Sequence, residues 1–177
     1  MEFLERNLED ILFDALQSKE QYRMINDRGL CIAKPFLVKR QLRIGNYGTC
    51  DLITLNRPYE ARDAENFVWD REKLIITVYE LKQNKISFNS LLQLIRYMRG
   101  ITRWMDKNKG FDFTVRGILI GKSIDVQSDY IYLFEYFSDN DDSHLGCIDT
   151  YSYNYKIDGI EFKQELLGNY SLSNEGF

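Results

Sequence analysis

Two acids and a lysine stand out by type and spacing. Asp51 sits in Tyr47-Gly48-Thr49-Cys50-Asp51-Leu52-Ile53, a glycine turn running into an apolar segment. Glu80-Leu81-Lys82 closes a second apolar segment, Leu74-Ile75-Ile76-Thr77-Val78-Tyr79. Residues two apart on a strand share a face, so Glu80 and Lys82 project together and Leu81 points the other way, into the core. The acid ends a run that is nearly all apolar, where a charge needs a reason. The two segments can pair as a hairpin, which brings the carboxylates together. Two carboxylates, with the Leu81 carbonyl to complete the shell, suit a hard cation such as Mg2+ or Mn2+. A metal held there polarises a phosphate and lowers the pKa of a bound water, the chemistry of phosphodiester hydrolysis. Lys82, protonated beside two acids, is suited to orient that water or to stabilise developing charge. The plainer reading is a surface hairpin with ordinary charges, because Glu-x-Lys is common in charged strands.

The layout resembles the PD-(D/E)xK nuclease superfamily, with Asp51 as its first acid and Glu80-x-Lys82 as its (D/E)xK element. Cys50 stands where that superfamily often has proline. More narrowly, the chain is similar to the catalytic domain of the NucS-like endonucleases of mismatch and branched DNA. The resemblance rests on the order Leu8-Glu9-Asp10-Ile11-Leu12, Arg40-Gln41, Gly48-x-x-Asp51-Leu52, Glu80-Leu81-Lys82 and Gln93-x-x-Arg96-Tyr97-Met98. It covers roughly residues 2 to 122, or on to 163. It implies a restriction-endonuclease-like core, an α/β fold with a mixed central sheet flanked by helices. It also implies a metal-dependent nuclease acting on DNA in repair, recombination or defence. RNA as substrate shares the same site.

The resemblance adds supporting residues. The first helix of such nucleases supplies an acid, and Glu9 fits that place, with Glu5 one turn earlier as the alternative. Glu5 and Glu9 are four apart and share a helix face. Gln93 and Tyr97, also four apart, fall where the family places a glutamine and a tyrosine facing the site. Gln93 is suited to hold a metal-bound water or a phosphate oxygen. Arg96, Arg99 and Arg103 continue the same helix and make a basic ridge that can grip phosphates. Gln41 and Arg43 lie on the strand before the glycine turn and line the cleft. For each, a solvated face or a polar stripe beside the core is the competing reading.

The elements that must position these residues are legible as periodicities. Residues 2–17 read as an amphipathic helix with Leu4, Leu8, Ile11, Leu12 and Ala15 on one face. Residues 19–28 continue in helix and loop. Phe36 to Ile44 alternates as a strand with a break near Arg40, Asn46-Tyr47-Gly48 signals a turn, and Gly48 to Leu55 is a strand. Residues 56–72 form a polar insertion, longer than an ordinary hairpin connection. Leu74 to Leu81 is the central strand. Ser87 to Met105 is an amphipathic helix with Leu91, Leu92, Leu94, Ile95, Met98 and Ile101 inward and Ser87 at its cap. Thr114 to Ile120 is a buried strand, and Ile131 to Tyr136 is helix or strand. Ile148 to Ile157 alternates with tyrosines. Residues 1–165 form a single domain and 166–177 a flexible tail.

Composition excludes several classes. The chain has 177 residues, 44% of them apolar, enough for a core. It has no run of membrane-spanning length and no signal-peptide order at its start, which gives a cytoplasmic expectation. Three cysteines without C-x-x-C spacing read as reduced thiols. The single histidine, His144, follows an acidic loop, Asp139-Asn140-Asp141-Asp142-Ser143, that lacks calcium-loop spacing. No serine triad can be built from one histidine, and no phosphate-cradling glycine loop is present. The net charge of −4 is unusual for a nucleic-acid binder, but basic residues cluster at 34–43 and 96–109. A chain of this size is expected to act as a homodimer or with partner proteins. The rival class is a non-catalytic module of nuclease fold, a scaffold for nucleic acid or protein, to which the half-buried Tyr151, Tyr153 and Tyr155 would contribute aromatic surface.

Overall fold

The computed structural model describes residues 4–57, 59–63, 66–69, 73–108, 112–125 and 145–165. A six-stranded mixed sheet carries helices on both faces. In chain order the elements are α1 (Glu5–Gln17), α2 (Lys19–Asp27), β1 (Leu37–Arg43), β2 (Thr49–Asn56), β3 (Tyr59–Asp63), β4 (Asn66–Trp69), β5 (Lys73–Leu81), β6 (Lys85–Ile86), α3 (Phe88–Asn108), β7 (Asp112–Gly121), β8 (Ser123–Ile124), β9 (Leu145–Lys156) and β10 (Gly159–Gln164). A 3-10 turn, Gly45–Tyr47, joins β1 to β2. The sheet order is β1-β2-β5-β7-β9-β10. β1, β2 and β5 form an antiparallel meander, β7 and β9 run parallel to β5, and β10 returns antiparallel on β9.

Because both faces are covered, the central strands are apolar on both sides. Ile53, Ile76, Val78, Val115 and Leu119 pack with Leu91, Leu94, Met98 and Ile101 of α3. Leu52, Tyr79, Leu81, Ile118 and Ile120 pack on the opposite face with Leu8, Leu12 and Leu16 of α1 and Ile25 of α2. Alternation along β5 therefore sorts Ile76 and Val78 to α3, and Tyr79 and Leu81 to α1.

Several expectations are refined. Helix α1 starts at Glu5; Leu4 is its N-cap, 48% exposed, with its N–H donated to the Asn7 side chain. Leu92 lies outside the apolar stripe of α3 and is exposed, one position round from Leu91. Ser87 immediately precedes α3: its carbonyl accepts the Leu91 N–H, and its own N–H and hydroxyl both meet the Ser90 hydroxyl. The insertion at 56–72 carries a small antiparallel hairpin, β3 with β4, which its charges concealed. The strand β10 was not expected. Its signal is the Asp158-Gly159 pair closing a tight hairpin from β9, with Gly159 at φ +130°. Tyr151 and Tyr153 are buried in the α1-side core, and only Tyr155 of the three is exposed. The expectations for Ile131–Tyr136, the acidic loop before His144 and the tail 166–177 lie outside the described residues. Among the described residues no helix is long and apolar enough to cross a membrane.

Candidate active site

Asp51 lies near the start of β2 and Glu80 near the end of β5. The antiparallel register sets Leu52 opposite Tyr79, which brings Asp51 and Glu80 side by side one step further on. The Leu81 N–H donates to Asp51 Oδ2 at 2.8 Å. Leu81 thus meets the site through its backbone, while its side chain is buried against α1. Lys82 Nζ donates to Glu80 Oε1 at 2.5 Å. Glu80 is only 1% exposed, and its second oxygen, Oε2, is buried without a hydrogen-bond partner. A buried carboxylate oxygen with no donor is costly. The sequence places Glu80 at the edge of a core; the structure places it inside.

Electrostatics follow from that burial. Burial first, then the neighbouring Asp51 charge, push the Glu80 carboxyl up to about 7. Burial also pushes Asp51 up to about 6, against the Leu81 hydrogen bond, with the Glu5 charge adding to it. Burial pulls the Lys82 ammonium down, but its hydrogen bond and attraction to Glu80, with Glu5 and Asp51 beyond, outweigh this and raise it. Lys82 is therefore a cation, not a free base, near neutrality. Cys50 is a buried thiol pushed up to about 12 by burial and the Asp51 charge, so it is not a nucleophile at neutral pH.

Helix α1 brings its acids to the same end of the sheet. The Glu5 charge acts on Asp51, Glu80 and Lys82, and on Asp51 more strongly than Glu9 does. Glu5 Oε2 accepts the Gln83 N–H at 3.3 Å, just past Lys82, and the Tyr153 hydroxyl donates to the Gln83 carbonyl. Glu9 instead accepts from Gln41 Nε2 at 2.7 Å, and Asp10 pairs with Arg40. Glu9 thus helps to clamp α1 to β1, and Glu5 is the acid nearer the pair. The four-residue spacing shows that both acids share a face; the depth of each is set by how α1 packs.

Gln41 has a left-handed backbone, φ +50°. The β1–β2 ladder runs from Arg40–Leu52 to Leu42–Cys50 and skips the step where Gln41 stands opposite Asp51. Such a conformation in a non-glycine residue costs about 1–3 kcal/mol and persists where surrounding contacts hold it. Here the Glu9 bond holds it, and the break in alternation near Arg40 is its trace in the sequence.

Gln93 and Tyr97 come together, with Gln93 Nε2 donating to the Tyr97 hydroxyl at 2.8 Å. Tyr97 is buried in the α3-side core and packs under Gly48. Arg96 lies over the Tyr97 ring at 5.6 Å. Arg103 donates to the Tyr47 hydroxyl at 2.7 Å, and Gly100 lets that tyrosine ring lie against α3, since a Cβ there would come within 2.7 Å of it. Arg43, Arg96, Arg99 and Arg103 are all exposed. The arginine ridge is therefore a surface, whereas Tyr97 is a prop beneath the glycine turn. Gly48, at φ +112°, has room for no Cβ, which would sit 2.9 Å from the Tyr97 ring. Gly48→Ala is expected to destabilise the fold by about 2 kcal/mol, read as a drop in the urea midpoint with an unchanged slope.

Among the described residues, no group of three or more His, Cys, Asp and Glu side chains is gathered closely enough to hold a metal ion as it stands. The donors that do fit a hard cation are Asp51 and the orphaned Glu80 Oε2 beside it. In comparisons with known proteins, no family model, no curated protein and no solved structure matches the chain.

Proposed function

We propose that the chain is a metal-dependent nuclease of PD-(D/E)xK type, hydrolysing phosphodiester bonds in DNA. One observation carries the reading: the buried, unpartnered oxygen of Glu80 beside Asp51, with Lys82 on the other oxygen. A mixed sheet whose meander β1-β2-β5 leads through α3 to a parallel β7, with α1 on the other face, is compatible with a restriction-endonuclease-like core. Asp51 and Glu80 would hold Mg2+ or Mn2+, with the Leu81 carbonyl available as a further ligand. A bound divalent ion supplies Lewis acidity toward the phosphate and a more acidic water. Lys82 supplies a fixed positive charge where negative charge develops. Glu5 and Glu9 add negative field that favours a cation, and Gln41 and Gln93 offer amides to water or phosphate. Arg43, Arg96, Arg99 and Arg103 are placed to bind phosphates along the approach. The working unit is a homodimer or a complex with partner proteins in the cytoplasm.

The test is cleavage of linear duplex, single-stranded, branched and circular DNA, and of RNA, with Mn2+ or Mg2+ and with EDTA. Metal-dependent cutting of at least one DNA substrate is expected. Cutting of RNA alone would change the substrate, and cutting of none would remove the reading. A second reading, a non-catalytic module of nuclease fold, draws on the absence of a gathered three-acid group among the described residues. It predicts neither cutting nor metal binding.

A further inference from the structure

A groove of about 880 Å3 runs along the α3 face of the sheet, away from the acids. One wall is the second half of α3 and the floor is β1, β2 and the start of β5. Its origin is geometric. A helix about 10 Å across covers about two strands spaced about 4.8 Å apart. Helix α3 packs chiefly on β7 and β5. Among the described residues, no helix covers this face of the two strands at the β1 edge of the sheet beside it, the width of one more helix.

The floor is aliphatic. Ile53 and Ile76 lie deepest, and Leu37, Leu55 and Leu74 are half-buried above them. Leu42 is 39% exposed and Trp104 54% exposed at the lip. The rim is basic on both walls, with Lys39 and Arg43 from β1 and Arg103 and Lys107 from α3. No acid lines it among the described residues, although the chain as a whole carries a net charge of −4.

We infer that this groove docks an amphipathic helix of a partner protein, apolar toward the floor and acidic along its flanks. Both halves of the fit are on the surface itself: a helix-wide aliphatic trough and four cations placed along its two sides. A nucleic-acid strand would engage the cations but leave an aliphatic floor without bases suited to it. A strand added to the edge of β1 would leave the floor bare. The inference goes beyond the nuclease reading and does not rest on it.

The probe is a fluorescein-labelled 15-residue peptide with leucines at i, i+3, i+4 and i+7 and glutamates at the flanking positions. Its twin carries lysines in place of the glutamates. Anisotropy is followed against the full chain at low salt, with Trp104 emission as a second signal. The acidic peptide is expected to bind saturably and to shift the tryptophan emission to the blue. Lys39→Glu with Lys107→Glu should weaken it at least tenfold, and Leu42→Glu should weaken it with the rim charges intact. Metal-dependent cleavage, measured on Leu42→Glu, should persist, which separates this surface from the acid site. Equal binding of the two peptides, or no binding of either, would overturn the inference.

Discussion

Glu80→Gln is expected to lower metal-dependent cleavage at least about a hundredfold, the scale on which a single buried electrostatic group contributes to catalysis. The substitution is nearly isosteric. It keeps a side-chain oxygen to accept from Lys82 Nζ, so the strand end and the Lys82 position survive. What it removes is the charge on a side chain that is 1% exposed and already has one oxygen without a donor. Asp51→Asn is expected to act in the same direction, because its amide oxygen can still accept the Leu81 N–H while the charge is lost. Lys82→Ala is a harsher change. It leaves the buried Glu80 charge without its partner, so lost activity and lost stability arrive together. Activity is read as single-turnover cleavage of whichever DNA the wild type cuts, at fixed Mn2+. Near-wild-type rates in both Glu80→Gln and Asp51→Asn would detach these acids from the chemistry.

The second large effect concerns pH. Asp51 and Glu80 are raised to about 6 and about 7 from ordinary values of 3.8 and 4.5. The folded chain therefore holds these protons more tightly than the unfolded chain does. Through this window the native state binds more protons, so unfolding free energy falls as pH rises. The pair's contribution is full below about pH 4 and is lost as pH rises through about 6 and about 7. Burial is the largest cause of both shifts, and repulsion from Asp51 adds to that of Glu80, so forming the two charges in the folded chain costs stability. Metal-free protein is thus expected to lose stability from this site between pH 4 and 7, the reverse of an ion-paired surface acid. Asp51→Asn should flatten the slope and raise the metal-free melting temperature at pH 8 by about 5 °C. A melting series in EDTA from pH 4.5 to 8 checks it; a steeper slope in Asp51→Asn than in wild type would contradict it. Loss of activity with a gain in metal-free stability marks a site strained for function rather than a fold that is merely damaged.

What was legible in the sequence follows from which forces act locally. The apolar runs at 48–55, 74–81 and 114–120 are dictated by burial on two faces, and each forms a strand of the central sheet. The 3.6-residue stripes of α1 and α3 are set the same way. Asp51 beside Glu80 follows from pairing two strands that the glycine turn and the apolar pattern already define. Other features depend on contacts far apart in the chain. That Glu5 acts on both acids and Lys82, while Glu9 acts on Asp51 and is bonded to Gln41, is decided by where α1 lies. The burial of Tyr97 beneath Gly48 needs the turn and α3 in place together. The hairpin β3–β4 is rich in charges, so its pairing left no periodic signal. Tyr151 and Tyr153 read as half-buried because alternation cannot show that α1 and α2 cover that face.

The central claim is that the unpartnered Glu80 oxygen and Asp51 together await a divalent cation. Titration calorimetry with Mn2+ on the metal-free chain, beside Asp51→Ala and Glu80→Ala, tests it most directly. The account predicts saturable binding to the wild type that is lost in both variants, with both variants still folded by circular dichroism. No binding to the wild type, or binding that survives both substitutions, would contradict it.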